Sequence, residues 1–481
     1  MNAVLLKELR QGVRNRYVLA AYLIFILVLL VATGIMTSLF LNEALKRPQS
    51  LFCAGRALFL TVHGIFAGVA MLFIPAYVAM RILRERWGTN LDLMYVTPMP
   101  PSHLLIGKLG SAMALTGLFL GGALPFLAMS YFIGGIDVPS IVVSTLLTLM
   151  GVALLTLLAM LLAIAPMPRI VRGLLCIGLG GTLVGGLIGW LFATAALCSA
   201  GYMSILGDAD TCTTFLNVVA LAVSVGGLLY VAALAGFRST NVERMRPFRI
   251  LATALIAGWG IVVLIQSQFS HFTKLPELWV TLTTVFASFM LVFALSERTG
   301  QSANGISPLS LSSAPMARRR WRFLGYPFRT GQRNAMLWAI LVLAAGIAFS
   351  YAIFKAPSAV VEWCRQCHET HLFPCHMVAR ERLHIYALNL SGYALTMFAL
   401  WRYFLRRKIR DNAWLWWVLY IVIGLITINF TSLNVGGVAG VNEMVGYAFA
   451  QNRNVLPWLY GWNAVGLLLF AVGFLNLRVK K

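Results

Sequence analysis

The stretch RILRERWGTNLDLMYVTPMPPSHLLIGKLG, residues 81–110, lies between two long apolar runs, and its reading decides the fold. It gathers Arg81, Arg84, Glu85, Arg86, Asp92 and Lys108 with three prolines at 98, 100 and 101. Trp87, Leu91, Met94 and Tyr95 fall at i, i+4, i+7 and i+8, one apolar stripe of a short helix. Arg84, Glu85 and Asp92 lie off that stripe. The prolines end the helix, because Pro98 disfavours helical backbone at Thr97 and each proline removes a donor. Ser102 is placed to cap a following helix, which enters the next apolar run past Lys108. The spacing predicts a small amphipathic helix with a stiff turn, joined to both neighbouring apolar segments.

Those apolar segments recur along the whole chain. Of 481 residues, 60% are hydrophobic and 11% charged, against roughly half and a quarter in soluble domains. Runs long enough to cross a hydrocarbon layer of about 30 Å are read at 17–41, 59–80, 109–133, 140–165, 173–197, 213–236, 248–267, 277–295, 335–354, 384–401, 413–430 and 456–477. The expected fold is all-α and polytopic, with about twelve transmembrane helices. The first run is too long for a signal peptide and no small-x-small cleavage site follows it. The net charge of +23 is not a nucleic-acid signature here. With the N-terminus inside, 29 of the 38 Lys and Arg fall on the inner side and 9 on the outer, whereas acidic residues divide 6 and 9. That skew is the positive-inside rule. It sets both termini in the cytoplasm, with the chain in the cytoplasmic (inner) membrane.

At the N-terminus, Leu5, Leu9 and Val13 repeat at helical spacing with Leu6 beside them, and Lys7, Arg10, Arg14 and Arg16 take the other face. This suits a helix lying in the headgroup plane, although a plain basic cytoplasmic tail has the same charge. Three regions follow from the span pattern. Residues 1–245 form a six-span unit. Residues 246–334 hold two spans and a basic linker, Ser-, Gly- and Pro-rich over 301–315. Residues 335–481 hold four spans and a Cys/His-rich outer loop at 355–383. Gly181, Gly185 and Gly189 stand four apart, a face expected to admit another helix closely. Pro75 and Pro125 fall inside spans. Ionisable groups deep within the spans are nearly absent, which points to energy supplied from outside the membrane and to a largely apolar or large cargo.

The segment RERWGTNLDLMYVTPMPPSHLLIGK resembles the coupling segment of type-2 permease subunits of ATP-binding-cassette (ABC) transporters. Glu85, Arg86, Gly88, Thr89, Leu93, Thr97, Pro98, Gly107 and Lys108 carry the match, and the N-terminal LLKELRQGVRNR is similar to the family's interfacial elbow, Lys7 and Glu8 included. The resemblance covers about residues 1–245 and is specific only over 1–16 and 81–108. This sequence departs from the family in its Asn90-Leu91-Asp92 order, in the third proline and in the extra six spans. The resemblance implies an elbow built on Leu5, Lys7, Glu8, Leu9 and Arg10. It also implies an ATPase-docking surface formed by the matched residues with Arg84 and Leu91. The partners it implies are a separate ABC ATPase subunit, a second permease copy or sister permease, and membrane lipids. Export is the expected direction, since no dock for a solute receptor is evident.

No G-x-x-x-x-G-K-[ST] motif occurs, so ATP and Mg²⁺ belong on the partner, and no enzyme activity or resident cofactor is expected of this chain. One constellation leaves other readings open. EWCRQCHETHLFPCH, residues 362–376, lies on the expected outer face, as do Cys53, Cys198 and Cys212. Disulfides among Cys198, Cys212, Cys364, Cys367 and Cys375 suit that compartment. Cys364, Cys367, His371 and Cys375 also resemble a compact zinc knuckle, and CRQCH is a literal haem-attachment motif. Free thiols remain a fourth reading. A redox or assembly protein using that loop is therefore the alternative function. An enzyme acting on lipid-linked substrates is a third, for which only scattered surface carboxylates are visible.

Overall fold

The structure is a computed structural model. It describes residues 3–44, 51–87, 101–164, 180–181, 184–195, 209–237, 245–269 and 332–355, with scattered positions at 279–290, 328, 395 and 461–468. Every described element is helical: α1 (Ala3–Val13), α2 (Arg16–Ala44), α3 (Leu51–Trp87), α4 (Pro101–Ile133), α5 (Val138–Ile164), α6 (Val184–Ala195), α7 (Ala209–Phe237), α8 (Arg246–Phe269) and α9 (Gln332–Lys355). Among the described residues, six helices (α2, α3, α4, α5, α7 and α8) are long and apolar enough to cross a membrane. The chain is thus a multi-pass membrane protein. The expected span near 413–430 lies outside the described residues, as do all but residue 395 of 384–401 and most of 277–295 and 456–477.

Helix ends follow local chemistry. Asn15 separates α1 from α2, and its Oδ1 accepts the Tyr17 backbone N–H at 3.0 Å, an N-cap bond. Asp137 precedes α5 and accepts the Ser140 hydroxyl at 2.8 Å. α4 begins on Pro101, one residue before the expected Ser102 cap. Proline suits a first helical position, where its missing N–H has no intrahelical partner anyway. Trp87 is the last described residue of the 37-residue α3, and Leu91, Met94 and Tyr95, which share its expected stripe, lie outside the described residues. Within the spans, Thr33, Thr116, Ser144 and Thr156 turn their hydroxyls back onto the carbonyl four residues earlier. That satisfies them where hydrocarbon offers no partner.

The chain divides into two units, residues 1–242 and 243–481. In the first, α3 is central and packs on α4, α5 and α2, and α1 lies along the start of α4. Phe119 joins three helices edge-on, with its ring centroid 5.2 Å from Phe25, 5.6 Å from Tyr22 and 6.0 Å from Phe73. Gly226 and Gly236 of α7 meet Leu154 and Ile164 of α5, close approaches that a side chain would obstruct. In the second unit, Trp338 Nε1 donates to Thr253 Oγ1 at 2.8 Å, tying α9 to α8.

The α4–α5 turn uses Gly134 and Gly135 at φ of 95° and 88°, backbone that L side chains rarely adopt. This turn meets Gly55 of α3 so closely that an added Cβ would stand 2.8 Å from the Ser130 carbonyl oxygen and against the Gly134 carbonyl. The obstacles are backbone atoms, which cannot rotate aside. Gly55→Ala is therefore expected to destabilise the first unit by about 1–3 kcal/mol. Thermal unfolding of the purified protein in detergent checks this.

One expectation about small residues is revised. A Cβ at Gly181, Gly185 or Gly189 would meet nothing within 4 Å, so no described helix of this chain packs on that stripe. Among the described residues Cys212 is a free thiol, and the other cysteines expected in disulfides lie outside them.

Candidate functional site

The amphipathic pattern of residues 3–13 does form a helix, and the helix buries its acid. Glu8 is only 6% exposed, whereas Lys7, Arg10, Arg14 and Arg16 are exposed. Leu5 packs on Gly110 and Gly12 on Leu115, which seats α1 against α4 and aims Glu8 at the ends of α3 and α4. There Glu8 meets two cations. Arg81 Nη2 lies 2.9 Å from Oε2 and Lys108 Nζ 3.2 Å from Oε1. Lys108 also reaches Glu85 Oε2 at 2.7 Å, and Arg81 approaches Glu85 Oε1 at 4.0 Å. Gln11 of α1 accepts a further bond from Arg81. Two carboxylates and two cations thus alternate in a closed, electrically neutral quartet.

Burial makes this joint stiff. Lys108 is 4% exposed at its side chain, and a cation taken so far out of water requires well-placed partners. Beside the quartet lies a cavity of about 10 Å³, lined in part by Glu8, Tyr77, Arg81, Lys108 and Ser111. That is room for about one water molecule among polar groups. The quartet spans the two ends of the segment on which the sequence reading turns: Arg81 and Glu85 close α3, and Lys108 opens α4. The quartet thus ties α1 to the end of α3 and the start of α4.

Of the residues expected in the coupling surface, Glu85 and Lys108 are paired with each other, Gly107 is buried and Arg84 is exposed. Arg86 is helical, and Gly88, Thr89, Leu91, Leu93, Thr97 and Pro98 lie outside the described residues. Of the expected elbow, Leu5 and Leu9 are half-buried, Lys7 and Arg10 point outward and Glu8 points inward. Cys198, Cys364, Cys367, His371 and Cys375 lie outside the described residues. Among the described residues, no group of three or more His, Cys, Asp or Glu could hold a metal ion.

Sequence reasoning passed over one intramembrane group. His63 of α3 is fully buried, its ring stacked on Phe59 with centroids 5.1 Å apart. Its Nε2 lies 3.1 Å from Thr148 Oγ1 of α5. That hydroxyl donates its one proton to the Ser144 carbonyl at 2.8 Å and accepts Trp190 Nε1–H at 3.0 Å. With that proton on Ser144 the hydroxyl accepts from His63 too, which is the tautomer that carries its proton on Nε2 and leaves a lone pair on Nδ1. Among the described residues, Nδ1 has no partner. The signal was present in LFLTVHGIFAGVA (58–70), a lone histidine in an apolar run.

No family model, no curated protein and no solved structure matches the chain. The residues and their geometry carry the functional reading.

Proposed function

We propose that the chain is the membrane-spanning permease subunit of an ABC transporter of the type-2 exporter class. In this reading, ATP hydrolysis on a separate subunit moves cargo outward across the cytoplasmic membrane, and both termini face the cytoplasm. The observation that carries it is the quartet. Glu8 of the expected elbow and Glu85 and Lys108 of the expected coupling segment, matched separately by resemblance, form one buried ion-paired joint. α1 is the interfacial elbow and residues 88–100 are the coupling element. Closure of two ATPase subunits pushes that element, and the quartet passes the displacement into α3 and α4, shifting the inward-open and outward-open populations. A second permease supplies the other half of the pathway.

Extraction in mild detergent tests this directly. A nucleotide-binding subunit is expected to co-purify with the tagged full-length chain and to be lost when residues 88–100 are replaced by a Gly/Ser linker. A wild-type chain that brings no nucleotide-binding subunit overturns the reading.

A further inference from the structure

Two polar nitrogens in the first unit are buried without a partner among the described residues, and both belong to α3: His63 Nδ1 and Arg56 Nε. They are seven residues apart, two turns of helix, and therefore share one face at an axial separation of about 10 Å. One is a hydrogen-bond acceptor and the other belongs to a permanent cation. Arg56 lies in the membrane-crossing part of α3, which begins at Ala54, and makes no described ion pair. His63 stands nine residues beyond Ala54, inside the same apolar helix. An unpaired nitrogen in such surroundings is destabilising until something pairs with it. Polar groups held within a span mark pathways.

The wall around His63 is otherwise apolar. Phe59 stacks on the imidazole and Phe66 tilts against it with centroids 6.3 Å apart. α6 packs on a neighbouring face of α3, where Leu191 and Leu187 lie over Gly64 and Gly68, about 100° and 140° round the helix from His63. Its described side-chain hydrogen bond to another helix runs from Trp190 to Thr148, the hydroxyl that also orients His63. Its outer face, with Val184, Ile188 and Phe192, is exposed.

We propose that the face of α3 between Arg56 and His63 is a binding site for an anionic amphiphile. Its carboxylate or phosphate pairs with Arg56, and a hydroxyl or amide N–H about 10 Å along the molecule donates to His63 Nδ1. The neutral imidazole, held by Thr148 with its lone pair free, selects a donor. The guanidinium selects an anion, and the aromatic wall between them selects an apolar backbone. This deepens the transport reading by naming the cargo's chemistry and rests on that reading only for the ligand being cargo. Binding itself needs no ATPase subunit, so the two ideas fail separately.

The test uses the full chain in phosphatidylcholine nanodiscs and three radiolabelled probes of like length: ricinoleate (acid and hydroxyl), oleate (acid alone) and oleyl alcohol (hydroxyl alone). Ricinoleate is expected to bind about tenfold more tightly than oleate, the worth of one buried hydrogen bond, and oleyl alcohol most weakly. His63→Phe keeps an aromatic ring against Phe59, and is expected to erase the ricinoleate–oleate difference. Arg56→Gln is expected to weaken both acids alike and leave the alcohol unchanged. Nitrogen-15 spectra of histidine-labelled wild-type protein give an answer that no variant's folding affects: ricinoleate, and not oleate, shifts the His63 Nδ1 resonance. Equal binding of all three probes overturns the proposal. So does an Nδ1 already hydrogen-bonded without probe and unmoved by ricinoleate, which would mean that a resident water fills the place.

Discussion

Lys108→Met is expected to destabilise the first unit by about 3–5 kcal/mol. The lysine is the member of the quartet that both carboxylates share, at 3.2 Å from Glu8 and 2.7 Å from Glu85. Methionine fills a similar volume and suits a helix, so the loss isolates the charge. Without the ammonium, Glu8 keeps only Arg81 at 2.9 Å, and a neutral group of four becomes a group of three with net charge −1. Glu85 is 34% exposed and can recover water, but Glu8, at 6%, cannot. The penalty is thus the desolvation of Glu8 and not the worth of an ion pair in itself. A second change separates these. Lys108→Met combined with Glu8→Gln leaves Arg81 with Glu85, neutral again, and is expected to be more stable than Lys108→Met alone. The measurement is a double-mutant cycle of thermal unfolding in detergent. Strict additivity would mean that the two side chains do not act together, and α1 would then be a tail resting on the bundle.

How far the sequence anticipated this structure depends on the range of the interaction. Apolar runs and the residues that bound them are local, and α2, α4, α5, α7 and α8 fall within a few residues of the spans read from the sequence, except that α4 begins well before residue 109. α3 also starts earlier than the run at 59–80 suggested, because the apolar and small residues 51–55 carry the helix through Arg56. That shift moved Arg56 from an outer loop into a span. The periodicity of residues 5–13 predicted α1 and its basic outer face, but not that Glu8 turns inward. A helical repeat shows which residues share a face. It does not show that an acid on the apolar side finds partners 73 and 100 positions away. His63 was hidden for the opposite reason: one polar residue barely alters the hydropathy of its run, and its significance lies in Thr148 and Trp190, on two other helices. The glycine stripe at 181–189 showed that spacing alone predicts a close approach without supplying the neighbour.

Gly88→Pro is expected to abolish stimulation of the proposed ATPase partner while leaving insertion, folding and subunit association intact. Gly88 directly follows Trp87, the last described residue of α3, where a helix commonly ends on glycine because backbone of positive φ costs it least. Proline fixes φ near −65° and disfavours helical backbone at the residue before it. The change therefore redirects the segment leading to Thr97 and Pro98 without touching the quartet. Glu85→Ala perturbs the same route from the other side. It removes the 2.7 Å bond to Lys108 but leaves that lysine paired with Glu8, and Glu85 is exposed enough that solvent screening keeps the stability loss small. A structural role and a relay role thus make opposite predictions for these two variants. If the quartet only holds helices together, Glu85→Ala lowers thermal stability and ATP turnover in proportion, and Gly88→Pro lowers neither. If it relays motion, both variants reduce the complex to the basal ATPase rate with their unfolding temperatures nearly unchanged, and Lys7→Ala, on the exposed face of α1, remains fully stimulated. Normal stimulation and transport in Gly88→Pro and Glu85→Ala together would remove residues 85–108 from the coupling path.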